Sequence, residues 1–197
     1  MIKADTVVVL DFETTGLSPD YGDRAIEIGA VLIEDGKVVA RFQELMNPGR
    51  HIDSFIEDYT GITNSMLKDA APCIADFIDG YNLVAHNASF DKRFLDAELA
   101  RIFRTYTGQF ACSLLTARRI YQDSPNHKLG TLVDYINIPT DGVFHRALYD
   151  SEMTAKLWMA MLDNITEQYA INPIPFTLIQ KLSKTPKNKI RNFLQQW

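Results

Sequence analysis

The sequence of 197 residues has little cysteine and no long hydrophobic run. Its two cysteines, Cys73 and Cys112, are too few for a disulfide framework, and they form no CxxC or Cys/His zinc spacing. No apolar stretch reaches the roughly 20 residues of a membrane span, and the apolar run near the N-terminus is shorter than the core of a signal peptide. These absences predict a cytoplasmic protein with no membrane partner.

The charge of the chain is unevenly distributed. The formal net charge is −5, but residues 168–197 carry five basic side chains and no acid, which leaves the remainder with 15 basic and 25 acidic side chains, a balance of −10. The sequence predicts one domain over residues 1–170 and a basic C-terminal tail over residues 171–197. This tail is interpreted as a nucleic-acid contact or as a solvated, frayed terminus, and charge alone does not decide between them.

Hydrophobic patterning predicts an α/β fold. Strands are expected over residues 6–13, 25–34 and 38–45, and the Asp-Gly pair between the last two is typical of a hairpin. Two further short strands, YNLVAH and QFACS, alternate with helices. The helices are predicted at 52–68 with a break at Gly61, and at 74–79, about 88–104, 114–121, 129–136 and 147–169. An antiparallel unit followed by alternating helices and strands predicts a mixed sheet with helices on both faces.

An acidic pair ends the first predicted strand, in the segment VVVLDFETTGL. Because side chains alternate faces along a strand, Asp11 and Glu13 point to the same side. Two carboxylates on one face repel each other and lose hydration unless a cation lies between them. Oxygen ligands without a nearby Cys or His favour Mg²⁺ or Mn²⁺ over zinc. The pair predicts a divalent metal site, and an exposed strand end is the alternative.

A second acid, Asp91, occurs in the segment HNASFD after the fourth predicted strand. It falls in the first turn of the next helix. The helix macrodipole favours an acid there whether or not the residue has a function. Asp91 is therefore a candidate only in combination with the other acids.

A third group, HRALYD, holds His145 and Asp150. Five residues of helix rotate the chain by about 500°, so two side chains at this spacing lie about 140° apart. If both serve one site, His145 must belong to the loop before the helix, which PTDGVF supplies, and Asp150 to the helix itself. An imidazole beside a carboxylate suits a general base. The alternative is a surface histidine and an ordinary first-turn acid.

The three segments together resemble the motifs of the DEDD 3′→5′ exonuclease superfamily, the DnaQ-like group with an RNase H-like fold. DFETTGL resembles its first motif, HNASFD its second and HRALYD its third, and the resemblance covers residues 6 to about 165. The stretches IEIGAVLI, NP, GIT and HKLGTL match the context between the motifs. Each motif alone is weak, whereas three in order are specific.

The resemblance also identifies the branch. One branch has a Tyr four residues before the last Asp, where this chain has Arg146; the DEDDh branch has a His five residues before it, where this chain has His145. It implies an RNase H-like mixed five-stranded sheet, with three antiparallel strands and then two parallel ones, and helices on both faces.

The resemblance implies the following site. Asp11, Glu13 and Asp150 surround one divalent cation, and Asp11 is shared with a second. Asp91 holds the second cation through waters, and His145 is the general base. The cofactors are accordingly two cations, Mg²⁺ or Mn²⁺.

The resemblance further implies how the substrate is held. The backbone of Thr14, Thr15 and Gly16 contacts the terminal nucleotide, Leu17 wedges against the last base, and Phe90 lines the nucleotide pocket. For Leu17 and Phe90, packing in the protein core is the alternative.

The implied function is a metal-dependent 3′→5′ exonuclease that acts on single-stranded DNA or RNA 3′ ends and releases 5′-mononucleotides by a two-metal-ion mechanism. Alternatives within the family are an oligoribonuclease or RNA-trimming enzyme and a proofreading subunit that docks a polymerase or another nucleic-acid-processing protein. An alternative of another class is a non-catalytic nucleic-acid-binding module.

Overall fold

A computed structural model describes residues 2–68, 74–140, 142 and 144–197. Cys73, together with Asp141 and Val143 of the PTDGVF loop, lies outside the described residues. The strands are β1 (Val7–Thr14), β2 (Ala25–Glu34), β3 (Lys37–Leu45), β4 (Asn82–Ala85) and β5 (Phe110–Cys112). The helices are α1 (Ser54–Thr60), α2 (Asn64–Leu67), α3 (Ala75–Ile78), α4 (Ala88–Arg101), α5 (Ser113–Ile120), α6 (Leu129–Tyr135), α7 (Ala147–Tyr169), α8 (Phe176–Lys184) and α9 (Ile190–Gln195).

The strands form one mixed sheet in the order β3-β2-β1-β4-β5. β1 pairs with β2 and β2 with β3 in antiparallel register, whereas β1, β4 and β5 are parallel. The predicted fold class is therefore confirmed. Because β1 is central and the parallel strands share a direction, the carboxyl ends of β1, β4 and β5 meet at one edge, where Asp11, Glu13 and the start of α4 lie.

The two faces of the sheet carry separate hydrophobic clusters. Val7 and Val9 of β1 face a cluster formed mainly with α5–α9, in which the buried Trp158 donates its indole N–H to the carbonyl of Ala4 at 2.8 Å. Val8 and Leu10 face the other cluster, which includes α3 and α4. Asp11 and Glu13 continue the side of Val7 and Val9, so they point toward α7.

Most element bounds agree with the sequence prediction, and one difference is informative. The predicted break at Gly61 is confirmed, since Gly61 caps α1 with φ +71°. α4 ends at Arg101, earlier than predicted, and Phe103 follows with φ +54°. A left-handed residue cannot continue a right-handed helix.

The C-terminal segment forms α8 and α9, which the sequence analysis did not predict. Their buried residues Phe176, Leu182, Ile190 and Leu194 belong to the same cluster as Trp158. The interpretation of this segment as a frayed terminus is therefore wrong, because its apolar side chains complete the core beneath α5 and α7. The division of function at residue 170 stays a prediction.

None of the described helices is both long and apolar enough to cross a membrane. The cytoplasmic location stays a prediction.

Candidate active site

Three predicted acids converge at the edge of the sheet. Asp11 and Glu13 come from β1 and Asp150 from the first turn of α7, and one oxygen of each carboxylate lies within 4.8 Å of the others. Glu13 and Asp150 are buried, with 8% and 9% of their surface exposed. One oxygen of Asp150, Oδ1, is buried with no hydrogen-bond partner among the described residues.

Asp91 lies beside this trio but does not belong to it. It sits in the first turn of α4 with 2% of its surface exposed. Its charge raises the pKa of Asp11 more than the charge of Asp150 or Glu13 does. The backbone N–H groups of Asp91 and Phe12 oppose the rise that burial causes in the pKa of Asp91. The arrangement is thus three acids around one point and a fourth next to Asp11.

Burial makes it costly to ionise these acids together. It raises the pKa of Glu13 to about 8, that of Asp91 to about 8 and that of Asp150 to about 6. Burial also raises the pKa of Asp11 well above its usual range, and the charges of Asp91 and Asp150 raise it further. A cation between the carboxylates removes this cost, since it stabilises their charged forms.

These pKa values predict how the stability of the metal-free protein depends on pH. Each acid binds its proton more tightly in the folded protein than in the unfolded chain. These acids therefore favour folding at low pH, and the protein loses their contribution to stability as pH rises from about 4 toward about 8. A loss of about 3 kcal/mol would lower Tm by about 6–12 °C for a domain of this size.

Thermal unfolding in chelator between pH 7 and pH 9 measures this effect, since buried His86, whose pKa is lowered to about 4, is uncharged over this interval. We expect Tm to fall as pH rises, and added Mg²⁺ to restore it at pH 9. A Tm that rises over this interval in chelator would contradict the raised pKa values.

His145 is placed by the chain just before α7, as predicted, and not on its helical face. Its backbone N–H donates to Oδ2 of Asp150 at 3.0 Å. It has φ +72°, a conformation that is strained for a residue other than glycine. Its exposed imidazole lies 4.1 Å from the ring of Tyr59, centroid to centroid, at 36°. Tyr59 lies near the same cluster. Burial raises the pKa of its hydroxyl, and the charges of Glu13 and Asp150 raise this pKa further.

Glu27 fixes the start of α7, and the sequence analysis missed it. This fully buried side chain on β2 accepts hydrogen bonds from Nε and a terminal nitrogen of Arg146 at 3.1 and 2.7 Å and from the backbone N–H of Ala147 at 3.0 Å. It therefore holds the residues between His145 and Asp150 against the sheet. An acid inside the apolar run AIEIGAVLIE was the signal in the sequence.

Gly29, also on β2, lets α7 approach the sheet closely. A Cβ at this position would collide with the backbone of Ala147 and Leu148. The carbonyl of Gly29 accepts a hydrogen bond from the Ser151 hydroxyl at 2.9 Å. The position of Asp150 thus depends on the absence of a side chain here.

We expect Gly29→Ala to destabilise the protein by about 1–3 kcal/mol, because neither the backbone of β2 nor that of α7 can shift easily. It should also lower activity by displacing Asp150. Gly130→Ala on α6 is the matched control, since its Cβ would meet only the Phe144 ring at 3.8 Å, an ordinary contact. Thermal unfolding compares the two, and an equal Tm for both variants would show that the close approach is not required.

The loop after β1 is held in a defined shape by its own side chains. The Thr14 hydroxyl donates to the carbonyl of Gly16 at 2.6 Å. The Thr15 hydroxyl oxygen accepts from the backbone N–H of Arg24 at 3.0 Å and from the guanidinium of Arg50 at 2.8 Å. A Cβ at Gly16 would collide with the carboxylate of Asp23. The backbone here is therefore ordered beside the acidic cluster.

Leu17 and Phe90 differ in their surroundings. Leu17 is 80% exposed, so packing in the core does not explain it. Phe90 is half-buried and packs on Phe94 with ring centroids 4.9 Å apart, so core packing accounts for part of its surface. Arg93 of α4 donates to the carbonyl of Leu17 at 3.3 Å. Nothing in the sequence distinguishes Arg93 from other surface arginines.

The donor set of the cluster fits a hard divalent cation. Asp11, Glu13 and Asp150 offer carboxylate oxygens only, which suits Mg²⁺ or Mn²⁺. The unpartnered Oδ1 of Asp150 is an acceptor that a cation would satisfy.

Known proteins resemble the chain over most of its length. The RNase_T exonuclease family model matches residues 8–158. The PolC-type DNA polymerase III of Caldanaerobacter subterraneus is 40% identical over 166 residues, which cover 81% of this chain and 12% of that protein. The 3′-5′ exonuclease DinG of Bacillus subtilis is 32% identical over 190 residues, 93% of this chain and 20% of that protein. The structure of exonuclease X in complex with 5′ overhanging duplex DNA superposes with a TM-score of 0.69 at 27% identity, covering 90% of this chain and 99% of that one.

The chain therefore spans a small part of the curated relatives, 12% of the PolC-type protein and 20% of DinG. The match to the family model extends across β1, α4 and the start of α7, and so includes all four acids and His145. Since this match covers well over half of the sequence, the chain belongs to the RNase_T exonuclease family.

Proposed function

We propose that this domain hydrolyses the phosphodiester bonds of single-stranded DNA or RNA from the 3′ end, with two divalent cations, Mg²⁺ or Mn²⁺, and releases 5′-mononucleotides. The observation that carries the proposal is the cluster of Asp11, Glu13 and Asp150 within 4.8 Å, joined to His145 through the hydrogen bond to Asp150. A non-catalytic nucleic-acid-binding module has no need to bury several mutually repelling acids, so the cluster argues against that alternative.

The carboxylates would act as ligands in this proposal. Asp11, Glu13 and Asp150 hold one cation, and Asp91 helps Asp11 hold the second. Divalent ions held there supply a lowered pKa for the attacking water and charge stabilisation for the leaving 3′-oxygen. Both roles require the acids to be ionised, which is the form that a cation favours.

His145 would act as the general base. Its imidazole is exposed and its backbone is tied to Asp150, so the ring is held next to the cluster while its nitrogens remain open to water. It accepts a proton from the water whose oxygen attacks phosphorus. As that oxygen bonds to phosphorus, the bond from phosphorus to the 3′-oxygen would break. The released nucleotide keeps the phosphate at its 5′ position, and the 3′-oxygen of the shortened strand takes a proton from solvent.

The terminal nucleotide would contact the loop after β1. The ordered backbone of Thr14, Thr15 and Gly16 offers hydrogen-bonding groups to sugar and phosphate, and the exposed Leu17 offers an apolar surface to the last base, with Phe90 on the opposite wall. Contacts of this kind read the backbone and not the base edges, so little sequence preference is expected.

A proofreading role is the second candidate, and one observation favours it. The 40% identity is to part of a PolC-type DNA polymerase III, and the chain covers only 12% of that protein. In this role the substrate would be a mispaired primer end, and the partner a polymerase. An RNA-trimming role differs only in how the site accommodates the 2′-hydroxyl.

Incubation with 3′-labelled single-stranded DNA and RNA, each with Mg²⁺, with Mn²⁺ or with chelator, tests these roles. We expect labelled mononucleotide with either metal and none with chelator. A 3′-phosphate should block the reaction. To test proofreading, the rate of cleavage at a mispaired primer end is compared with the rate at a fully paired end, and a proofreading enzyme should favour the mispaired end. Release of label that persists in chelator would overturn the proposal.

A further inference from the structure

A cationic surface lies away from the acidic cluster, on the C-terminal helices and the end of α5. Its members are Arg118, Arg119, Lys181, Lys184, Lys187, Lys189 and Arg191, and all are exposed except the half-buried Arg119. We call these seven side chains the α5/α8 surface. They come from two parts of the chain separated by the whole of α6 and α7, so the fold and not the sequence brings them together.

Hydrogen bonds join the two parts. Nε of Arg119 donates to the carbonyl of Thr185 at 2.7 Å. The amide of Gln122 donates both to the carbonyl of Arg119 at 3.1 Å and to that of Lys187 at 3.3 Å. The end of α5 is thus attached to the turn after α8, and the backbone segments that carry the cations are held next to each other.

The charges of this surface are not neutralised within the protein. Among the described residues, no carboxylate forms an ion pair with any of the seven, whereas Arg24, Arg41, Arg50, Arg101, Arg104 and Arg146 are all paired elsewhere. Asp123, the acid that follows α5, pairs with none of them. Nζ of Lys181 lies 4.9 Å from the centre of the Trp197 ring. Concentrating unpaired positive charge raises the free energy of the fold, so a bound polyanion would stabilise the surface.

The helix α8, which carries two of these cations, packs beside the amino end of β5, whereas the acids lie at the carboxyl end of β1. The side chain of Gln180, in the middle of α8, donates to the carbonyl of Phe110 at 3.1 Å, at the amino end of β5. Through β4 this residue is level with Val8, three residues before Asp11 on the parallel strand β1. A strand whose 3′ end is in the active site must therefore extend beyond the first nucleotides to reach these cations.

We propose that the α5/α8 surface binds the phosphate backbone of the substrate strand at nucleotides outside the active site, a proposal that rests on the proposed exonuclease function. Outside these seven side chains the sequence has 13 basic and 25 acidic side chains, a balance of −12, and so repels a polyanion. Cations spaced along a folded surface offset that repulsion and bind phosphates without regard to sequence. The surface thus makes the enzyme prefer long strands to short ones.

The test compares two double variants with the same change in charge. Lys184→Gln with Lys187→Gln removes two cations of the surface, and Lys37→Gln with Lys156→Gln removes two exposed cations elsewhere. Binding of a labelled 30-nucleotide strand is measured in chelator at several salt concentrations. For the surface variant we expect the slope of log affinity against log salt to decrease by about 1.4, and affinity at 0.1 M salt to fall on the order of tenfold.

Activity provides a second measurement, with Tm as a check that both variants fold. The ratio of kcat/KM for the 30-nucleotide strand to that for a trinucleotide should fall about tenfold in the surface variant and stay at the parental value in the control. Equal salt slopes for the two variants would overturn the proposal. The surface would then be a binding site for an acidic protein or a membrane and not for the substrate strand. Cleavage of the trinucleotide by the parent chain tests the proposed function separately, because so short a strand does not reach the surface.

Discussion

Asp11→Asn should reduce cleavage to the background rate while leaving the metal-free protein at least as stable as the parent chain. Asp11 belongs to the trio of carboxylates and lies next to Asp91, so it is the acid expected to contact both cations. An amide keeps the size of the side chain but cannot supply the negative charge. The loss of activity and the gain in stability have the same origin, which is the concentration of acids at one point.

The stability change can be estimated from electrostatics. One unit of raised pKa corresponds to about 1.4 kcal/mol, or about 3–6 °C in Tm for a domain of this size. Burial and the charges of the neighbouring acids raise the pKa of Asp11, so ionising this side chain is costly, and an amide that does not ionise removes that cost. We expect the Tm of the variant in chelator at pH 8 to exceed that of the parent by a few degrees.

Asp134→Asn is the control for this experiment, because Asp134 is an exposed acid on α6 with no hydrogen bond from its side chain to a described residue. It should change neither activity nor Tm. A marked decrease in the Tm of the Asp11 variant in chelator would mean that Asp11 stabilises the fold without metal. In that case the cluster is not a cation site.

Local geometry explains only part of the site prediction, because the convergence of Asp150 with Asp11 and Glu13 was implied by the resemblance to the exonuclease motifs. The alternation of side chains places Asp11 and Glu13 on one face of β1, and the rotation of a helix separates His145 from Asp150. These are properties of a few consecutive residues. The fold class followed from the order of strands and helices together with the Asp-Gly hairpin, which are local signals as well.

The parts that were missed depend on contacts between distant residues. Glu27 is an anchor only because α7 crosses β2 at Gly29, about 120 residues later, and no local pattern indicates this crossing. Tyr59 reaches His145 from α1 for the same reason. The helix α8 is a different case. Phe176, Ile179 and Leu182 recur at a helical spacing that is visible in the sequence, but the basic charges and prolines around them are typical of an unstructured terminal segment.

His145→Ala should lower the rate of cleavage by about 10²–10⁴-fold while metal binding persists. The side chain contributes no ligand to the trio, and only its backbone N–H, which every substitution except proline retains, contacts Asp150. Single-turnover cleavage measures the rate, and calorimetry with Mn²⁺ measures the affinity of the site.

His145→Gln separates the loss of the base from the loss of packing. Glutamine can still contact the Tyr59 ring and fill the same space, but it cannot accept a proton near neutral pH. If His145 is the base, both variants should be slow to a similar degree. Were glutamine to restore the rate, the imidazole would act by packing on Tyr59, and were Mn²⁺ affinity to collapse in either variant, it would act as a ligand. These outcomes are separable because only the backbone N–H of His145, and not its ring, contacts Asp150. Slow cleavage by both variants with normal metal affinity is a combination that a residue acting only by packing on Tyr59 would not produce.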